Sequence, residues 1–534
     1  MRVATFLLVA GLTNAFHLPS WIPFVHSQEA QQTLGLPPDD IARNRIAIIG
    51  AGAGGSSAAF WISKAKERFG LDVEVDVYDK NDYIGGRSIT VQPYDDPELV
   101  PKELGGSIFV KSNKNLWRAT DEFGLERTDF GDEATATGIW DGSQFIITVG
   151  GGKHFYDSWF DSLKVVWRYG YRAPMKTKSI VDKMVKKFVE FYDPSAQTFP
   201  NITELTTRLG WSEFLAQTTS EYLDLQGIDH RWTREMIEAA TRVNYGQNVD
   251  ALHALEGLVS MAATGAAAVK TGNFRIFEEF LHRSKANVYL NTTVKGIKRD
   301  EKTSLWALQT LNASTVMEDT RYYRGVILAA PVHQTSIDLK LPKDVPVIPA
   351  QPYVHLHVTL LTTTSPHAKP SYFGLADDAV IPPWVLTTYE GARFGGVEPE
   401  FNSLSVHGKL QRKDGKEREK DEYVVKIFSK QRISDEFLNK LFDGVGWVYR
   451  KEWDAYPVLP PTTTFPPVKI DTGFYYVNAF EPFISTMETE TISSRNVVDL
   501  LLEELFDSGI CKKATNATEV PERRGEEFVY GWDC

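Results

Sequence analysis

Cysteine is almost missing from this chain: 534 residues contain two, Cys511 and Cys534, both late in the sequence. Two thiols exclude a multi-disulfide framework and a cysteine-rich zinc module. Both lie outside every motif described below, so neither reads as a nucleophile. In an oxidising compartment the pair would form one disulfide that ties down the tail; two free thiols are the alternative. Positive charge is also short. Lys and Arg number 58 against 70 Asp and Glu, a formal charge of −12, which argues against non-specific nucleic-acid binding. After the N-terminus no run of about 20 apolar residues occurs, so no transmembrane helix is expected. Internal repeats, a catalytic triad and metal-ligand spacing are absent as well. Histidines such as His154, His355 and His357 are read as structural, and no metal is expected. What remains is globular: 42% hydrophobic, 12% aromatic and 24% charged residues, in a length that calls for two or three domains.

The first 15 residues read as a signal peptide. Arg2 supplies the positive start, Val3 to Leu12 form an apolar stretch too short to span a bilayer, and Thr13-Asn14-Ala15 offers small residues for cleavage. A soluble chain with an apolar start is the plainer reading. Residues 16–40 follow as a lead-in. Sequons at Asn201, Asn291, Asn312 and Asn516 agree with secretion, weakly, since chance alone would supply two or three in this length.

Arg45-Ile-Ala-Ile-Ile49 is an apolar run suited to a buried parallel strand, and it enters Gly50-Ala51-Gly52-Ala53-Gly54-Gly55. Residues 56–69 have helical spacing, and a second strand, Val73 to Tyr78, ends at Asp79. Each position has a task. Gly50 turns the chain, Gly52 admits a pyrophosphate, and Gly55 lets helix and strand pack closely, while Asp79 can accept from a ribose. In this strand–turn–helix–strand setting the pattern predicts a bound dinucleotide. Tyr83-Ile84-Gly85-Gly86-Arg87 resembles the glycine-doublet–arginine signature of FAD proteins of the glutathione-reductase-like class. Glu103-Leu104-Gly105-Gly106-Ser107 resembles the second glycine pair that runs beside the isoalloxazine. Far downstream, Phe474 to Ala479 reads as a buried strand. A helix from about Ser485 would aim its positive end at the flavin, with Glu488 in its first turn, capping it rather than catalysing.

These pieces imply a discontinuous α/β organisation: a Rossmann FAD domain from residues 41–110, 241–345 and 471–510, and a mixed helical and β substrate domain. Within the latter, residues 111–240 look largely helical and residues 346–470 strand-rich; 511–534 are a tail. Lys409 to Glu422 reads as a solvated loop. Residues 153–187 stand apart, with nine Lys or Arg (153, 164, 168, 172, 176, 178, 183, 186, 187) against Asp157, Asp161 and Asp182. Interleaved aromatics make this a candidate face for an anionic membrane. A helix pair with an aromatic core and solvated lysines is the other reading.

Arg242-Val243-Asn244-Tyr245-Gly246-Gln247 resembles the signature of the prenylcysteine oxidase family, also called prenylcysteine or farnesylcysteine lyase. Trp167-Arg168-Tyr169-Gly170, Val425 to Ser429, Trp453 to Pro457 and Ser485 to Glu488 are similar to further family segments, in the family's order. Two departures are Asp79, where relatives often have Glu, and Thr271-Gly272-Asn273, with Thr for a usual glycine. The resemblance implies an amine-oxidase-like architecture, non-covalent FAD, and the conversion of S-prenyl-cysteine, O2 and water to cysteine, an isoprenoid aldehyde and H2O2. The reacting carbon is both allylic and beside sulfur, so hydride loss gives a shared cation; water adds, and the hemithioacetal collapses. Arg242, Asn244, Tyr245 and Gln247 are the candidates to lie near flavin or substrate, or else to hold the inter-domain junction. A lysosomal or vacuolar lumen is expected, with secretion next. The rival functions are an amine or polyene oxidase of the same fold and a non-catalytic prenyl-binding escort, whose dinucleotide loop is usually degraded.

Overall fold

The computed structural model describes residues 44–129, 136–150, 155–342, 345–511 and 527–534. The leader, the lead-in, Lys153, His154 and the sequon at Asn516 lie outside the described residues.

The Arg45–Ile49 strand buries Ile46 through Ile49, as a strand covered on both faces must. It is central in a six-stranded sheet ordered Lys469–Asp471, Phe474–Tyr476, Gly325–Leu328, Arg45–Ile49, Glu74–Tyr78, Asn287–Tyr289. All pairings are parallel except at the Lys469–Asp471 edge. Its strands therefore come from three stretches far apart in sequence. The Ala53–Phe69 helix covers one face and is itself sandwiched. Phe60 meets Phe280 with ring centres 4.8 Å apart, and Trp61 Nε1 donates to the Thr491 carbonyl at 3.2 Å. Between Asn287–Tyr289 and Gly325–Leu328 the chain makes most of a separate four-stranded sheet, Thr292–Arg299, Trp306–Asn312 and Met317–Tyr323, joined later by Asp338–Lys340.

The substrate-side layer is a seven-stranded sheet dominated by two long antiparallel strands, Tyr353–Thr363 and Val445–Pro457. Here the structure corrects one expectation. Residues 111–240 are helical for most of their length but contain the Thr137–Trp140 and Phe145–Val149 hairpin, which extends this sheet through parallel pairing with Trp384–Thr387. The turn is fixed locally: Asp141 Oδ1 accepts from the Ser143 and Gln144 amides, both at 2.8 Å. Burial of Ile139, Trp140 and Ile147 then anchors the strands.

Residues 527–534 fold back on the dinucleotide layer. Cys534 is bonded to Cys511, Trp532 packs 5.0 Å from Phe60 and 5.6 Å from Trp61, and Arg68 donates to the carbonyls of Gly531 and Trp532.

Candidate active site

The glycine loops form a cradle that only glycine permits. A Cβ on Gly55 would stand 1.8 Å from the Gly50 carbonyl oxygen, and one on Gly50, whose φ is +109°, would stand 2.4 Å from the Ala329 oxygen. Gly52 faces Gly86 across the cradle, and the Gly85 amide donates to the Ala51 carbonyl at 2.9 Å. Asp79 ends its strand as expected; its carboxylate accepts from the Ala51 amide at 2.7 Å and from Asn81. Gly54 abuts Glu490 and Val477. Gly106 lies against Met487, in the first turn of the Met487–Phe506 helix, and its carbonyl accepts from Asn273 Nδ2 at 2.6 Å. Both glycine pairs and that helix N-terminus thus converge. Several buried polar atoms here have no protein partner: Asn478 Oδ1, Glu490 Oε1, Trp453 Nε1 and Glu256 Oε2. Orphaned buried polar atoms are costly, and the hydroxyls and phosphates of a dinucleotide are groups of the kind they lack. The residues present fit such a ligand.

Arg87 is not a free cation. Glu481 binds its guanidinium, Tyr353 donates to the same carboxylate, and Arg87 Nη1 donates to the Ala455 carbonyl at 3.0 Å. Glu488 also departs from expectation. Its oxygens accept from the amides of Asn115 and Leu116 at 2.9 and 3.0 Å and from the Tyr192 hydroxyl. It caps the Lys114–Phe123 helix rather than its own helix or a cofactor, and burial pushes its carboxyl up to about 7.

The signature segment ends the Glu238–Tyr245 helix, which stops at left-handed Gly246. Arg242 is 1% exposed. Its guanidinium is spent on Thr387 Oγ1 at 2.9 Å, Asn248 Oδ1 at 2.8 Å, and weaker contacts to Glu398 and Asn402. Gln247 is likewise committed, donating to the Pro457 carbonyl at 3.0 Å and accepting from the Leu459 amide at 2.9 Å. The contacts of these two residues run to the Trp384–Thr387 strand, Asn402, Pro457 and Leu459, as a brace at the junction requires. Asn244 lies within 3.4 Å of the Ser260 carbonyl, and Tyr245 packs edge-on to Tyr456 at 5.6 Å.

Two groups escaped the sequence reading. Glu256 is fully buried beside Tyr245; one oxygen accepts from the Ser485 amide at 3.1 Å, the other is the orphan already noted, and burial pushes the carboxyl up to about 8. Its neighbour His253 is held neutral, burial lowering it to about 4. Lys426 is a lysine inside a strand, donating to Ser107 Oγ at 2.9 Å and to the Glu103 carbonyl at 3.0 Å. Burial lowers the lysine and raises the Glu103 carboxyl, while their mutual attraction opposes both shifts. A charged residue among strand apolars, Val425-Lys426-Ile427, is the one local signal that could have found it. His355 and His357 converge with Glu452, their ligand atoms all within 4.8 Å of one another.

The sequence profile described as prenylcysteine lyase matches residues 153–511, more than half of the chain. The chain belongs to the prenylcysteine lyase family. A profile for NAD(P)-binding Rossmann-like domains matches residues 48–123, the segment that builds the first part of the cradle. The human protein named prenylcysteine oxidase 1 is 29% identical over 489 residues, covering 87% of this chain and 88% of that one. A farnesylcysteine lyase of Arabidopsis thaliana is 27% identical, covering 88% and 90%. Among solved structures, cyclohexylamine oxidase from Brevibacterium oxydans superposes with a TM-score of 0.51 at 15% identity, over 87% of this chain and 99% of that one. A putrescine oxidase variant gives 0.53 at 14%, over 86% and 99%. At such identities these two establish the fold alone, an amine-oxidase-like arrangement around a Rossmann domain.

Proposed function

We propose that this member of the family is a thioether oxidase that converts S-prenyl-L-cysteine, farnesyl or geranylgeranyl, with O2 and water into cysteine, an isoprenoid aldehyde and H2O2, in the breakdown of prenylated proteins. The observation that carries the reading is the intact dinucleotide cradle in a chain that also carries the family's own signature segment. Bound there without a covalent link, FAD supplies a two-electron acceptor for the allylic hydride, restored by O2. The disulfide partnership of Cys511 and Cys534 supports non-covalent attachment, since it occupies both thiols.

The chain's own work is positioning and the exclusion of stray water. Tyr245, Tyr456, Phe428 and Trp453 supply apolar surface at the junction. Lys426 holds a cation beside Ser107. Glu256 retains its proton at neutral pH, so it can donate a hydrogen bond without placing a charge in its buried setting. An intact loop with orphaned polar atoms disfavours the non-catalytic escort.

An acidic lysosomal or vacuolar lumen suits these groups. Glu256, Glu488 and Glu490 all have carboxyls raised by burial, and a buried acid that must stay protonated destabilises least at low pH. Asn201 caps the Ile202–Leu209 helix through its Oδ1 at an exposed position, which leaves its amide nitrogen outward for a glycan. A second feature suits a lipophilic substrate. On the Phe155–Tyr169 and Arg172–Phe188 helices and the turn between them, Trp167 is 89%, Met175 66% and Tyr171 59% exposed, flanked by Arg172, Lys176 and Lys178. Such a basic, aromatic face fits an anionic bilayer surface, from which a prenyl thioether would be drawn.

The test is anaerobic. S-farnesyl-cysteine added without oxygen should bleach the flavin absorbance, and air should restore it with formation of peroxide. Bound flavin that this substrate leaves unbleached overturns the substrate; bleaching by an amine or polyene instead would give the chain to the rival oxidases.

A further inference from the structure

The two long strands of the seven-stranded sheet carry a second chemical cluster, apart from the cradle. His355 pairs in register with Asp454, and His357 with Glu452. Alternate residues on a strand share a face, so all four side chains meet. His355 Nδ1 is 3.0 Å from Asp454 Oδ1, and His357 Nδ1 is 3.5 Å from Glu452 Oε2. The imidazole centres are 5.3 Å apart.

These distances are also compatible with a shared ion. Ligands about 2.0–2.1 Å from a tetrahedral zinc are roughly 3.3 Å from one another. The His357–Glu452 pair is already near that spacing. The three ligand atoms of His355, His357 and Glu452 lie within 4.8 Å, so a side-chain adjustment of about 1–1.5 Å completes a His, His, Glu set. The side chains of His355 and Glu452 are 55% and 64% exposed, free to make it and open enough to leave water on the ion. Asp454 supplies what a ligating histidine normally has, a carboxylate on its other ring nitrogen, which turns His355 Nε2 toward the ion. At His357 the attraction of Glu452 exceeds the opposing charge of Arg432.

We propose that His355, His357 and Glu452 bind a Zn2+-class cation, with Asp454 as the group that orients His355. Its setting has a consequence for the cradle. Tyr353, two residues along the same strand, donates to Glu481, the partner of Arg87. A bound ion would staple this strand to its neighbour beside that contact.

The experiment uses the full flavin-loaded chain, tag removed and stripped with chelator, titrated with ZnCl2 at neutral pH by equilibrium dialysis. About one zinc per chain at micromolar affinity or tighter is expected. The double variant His355→Ala/His357→Ala should bind at least tenfold more weakly, with flavin absorbance and melting temperature unchanged in the metal-free state. Asp454→Asn keeps every ligand and should still cost about 10- to 100-fold; it and Glu452→Gln, both at exposed positions, serve if the double variant fails to fold. Absence of binding by the unaltered chain, or equal affinity in the variants, overturns the proposal.

Discussion

Replacing Glu256 by glutamine should stabilise the protein above neutral pH. The carboxyl is fully buried, and its folded pKa is about 8 against an ordinary 4.5. Between those values the unfolded chain has released the proton while the folded chain keeps it. Stability contributed by the buried neutral acid is therefore fully present below pH 4.5 and drains away as pH rises through about 8. At about 1.4 kcal/mol per pH unit, the loss across that window is about 5 kcal/mol. Glutamine keeps the oxygen that accepts from the Ser485 amide and never ionises. Urea melts of both proteins across a pH series measure the difference directly, since Glu488, Glu490 and Glu103 titrate alike in each and cancel. The variant's advantage should be small at pH 4.5, grow to about 5 kcal/mol by pH 8, and stay flat beyond. Stability curves that run parallel across this range would refute the placement of a proton on Glu256.

Gly55→Ala forces a methyl group to 1.8 Å from a backbone oxygen that cannot yield; the protein should emerge colourless and less stable by about 3 kcal/mol or more, read by absorbance and melting. Removing the Cys511–Cys534 link, which spans 23 positions, by paired serine substitution should cost about 3 kcal/mol in denaturant melts. Trp167→Ala should leave the melting temperature unchanged, within about 0.5 kcal/mol, while cutting co-sedimentation with phosphatidylserine vesicles several-fold; equal sedimentation would remove Trp167 from any membrane face.

Legibility in the sequence followed the range of the interaction. Gly50, Gly55 and Gly85 could be read because backbone sterics act within a few residues, and Asp79 because a strand of known length carries it there. The Thr137–Val149 hairpin could not, since its short apolar runs gain meaning only when Trp384–Thr387 arrives to pair with them. Arg242 and Gln247 were located as a motif whose role stayed open between the site and the junction, because Thr387, Asn402 and Pro457 lie far along the chain. Lys426 and Glu256 owe their chemistry to burial, and His355 and His357 to a cross-strand register. Spacing in one dimension carries neither.

The packing of Trp532 on Phe60 and Trp61 also sets a schedule. Arg68, at the end of the first helix among the described residues, waits for the Gly531 carbonyl, 463 positions downstream. At 5–20 residues per second, that interval is roughly 20 to 90 seconds of synthesis. Throughout it Phe60 and Trp61 lack the Trp532 side of their cover, and for most of it the sheet lacks the strands from residues 469–476. The nascent dinucleotide unit is thus an apolar surface in search of a partner, and a chaperone of the compartment where it is made has that long to supply one.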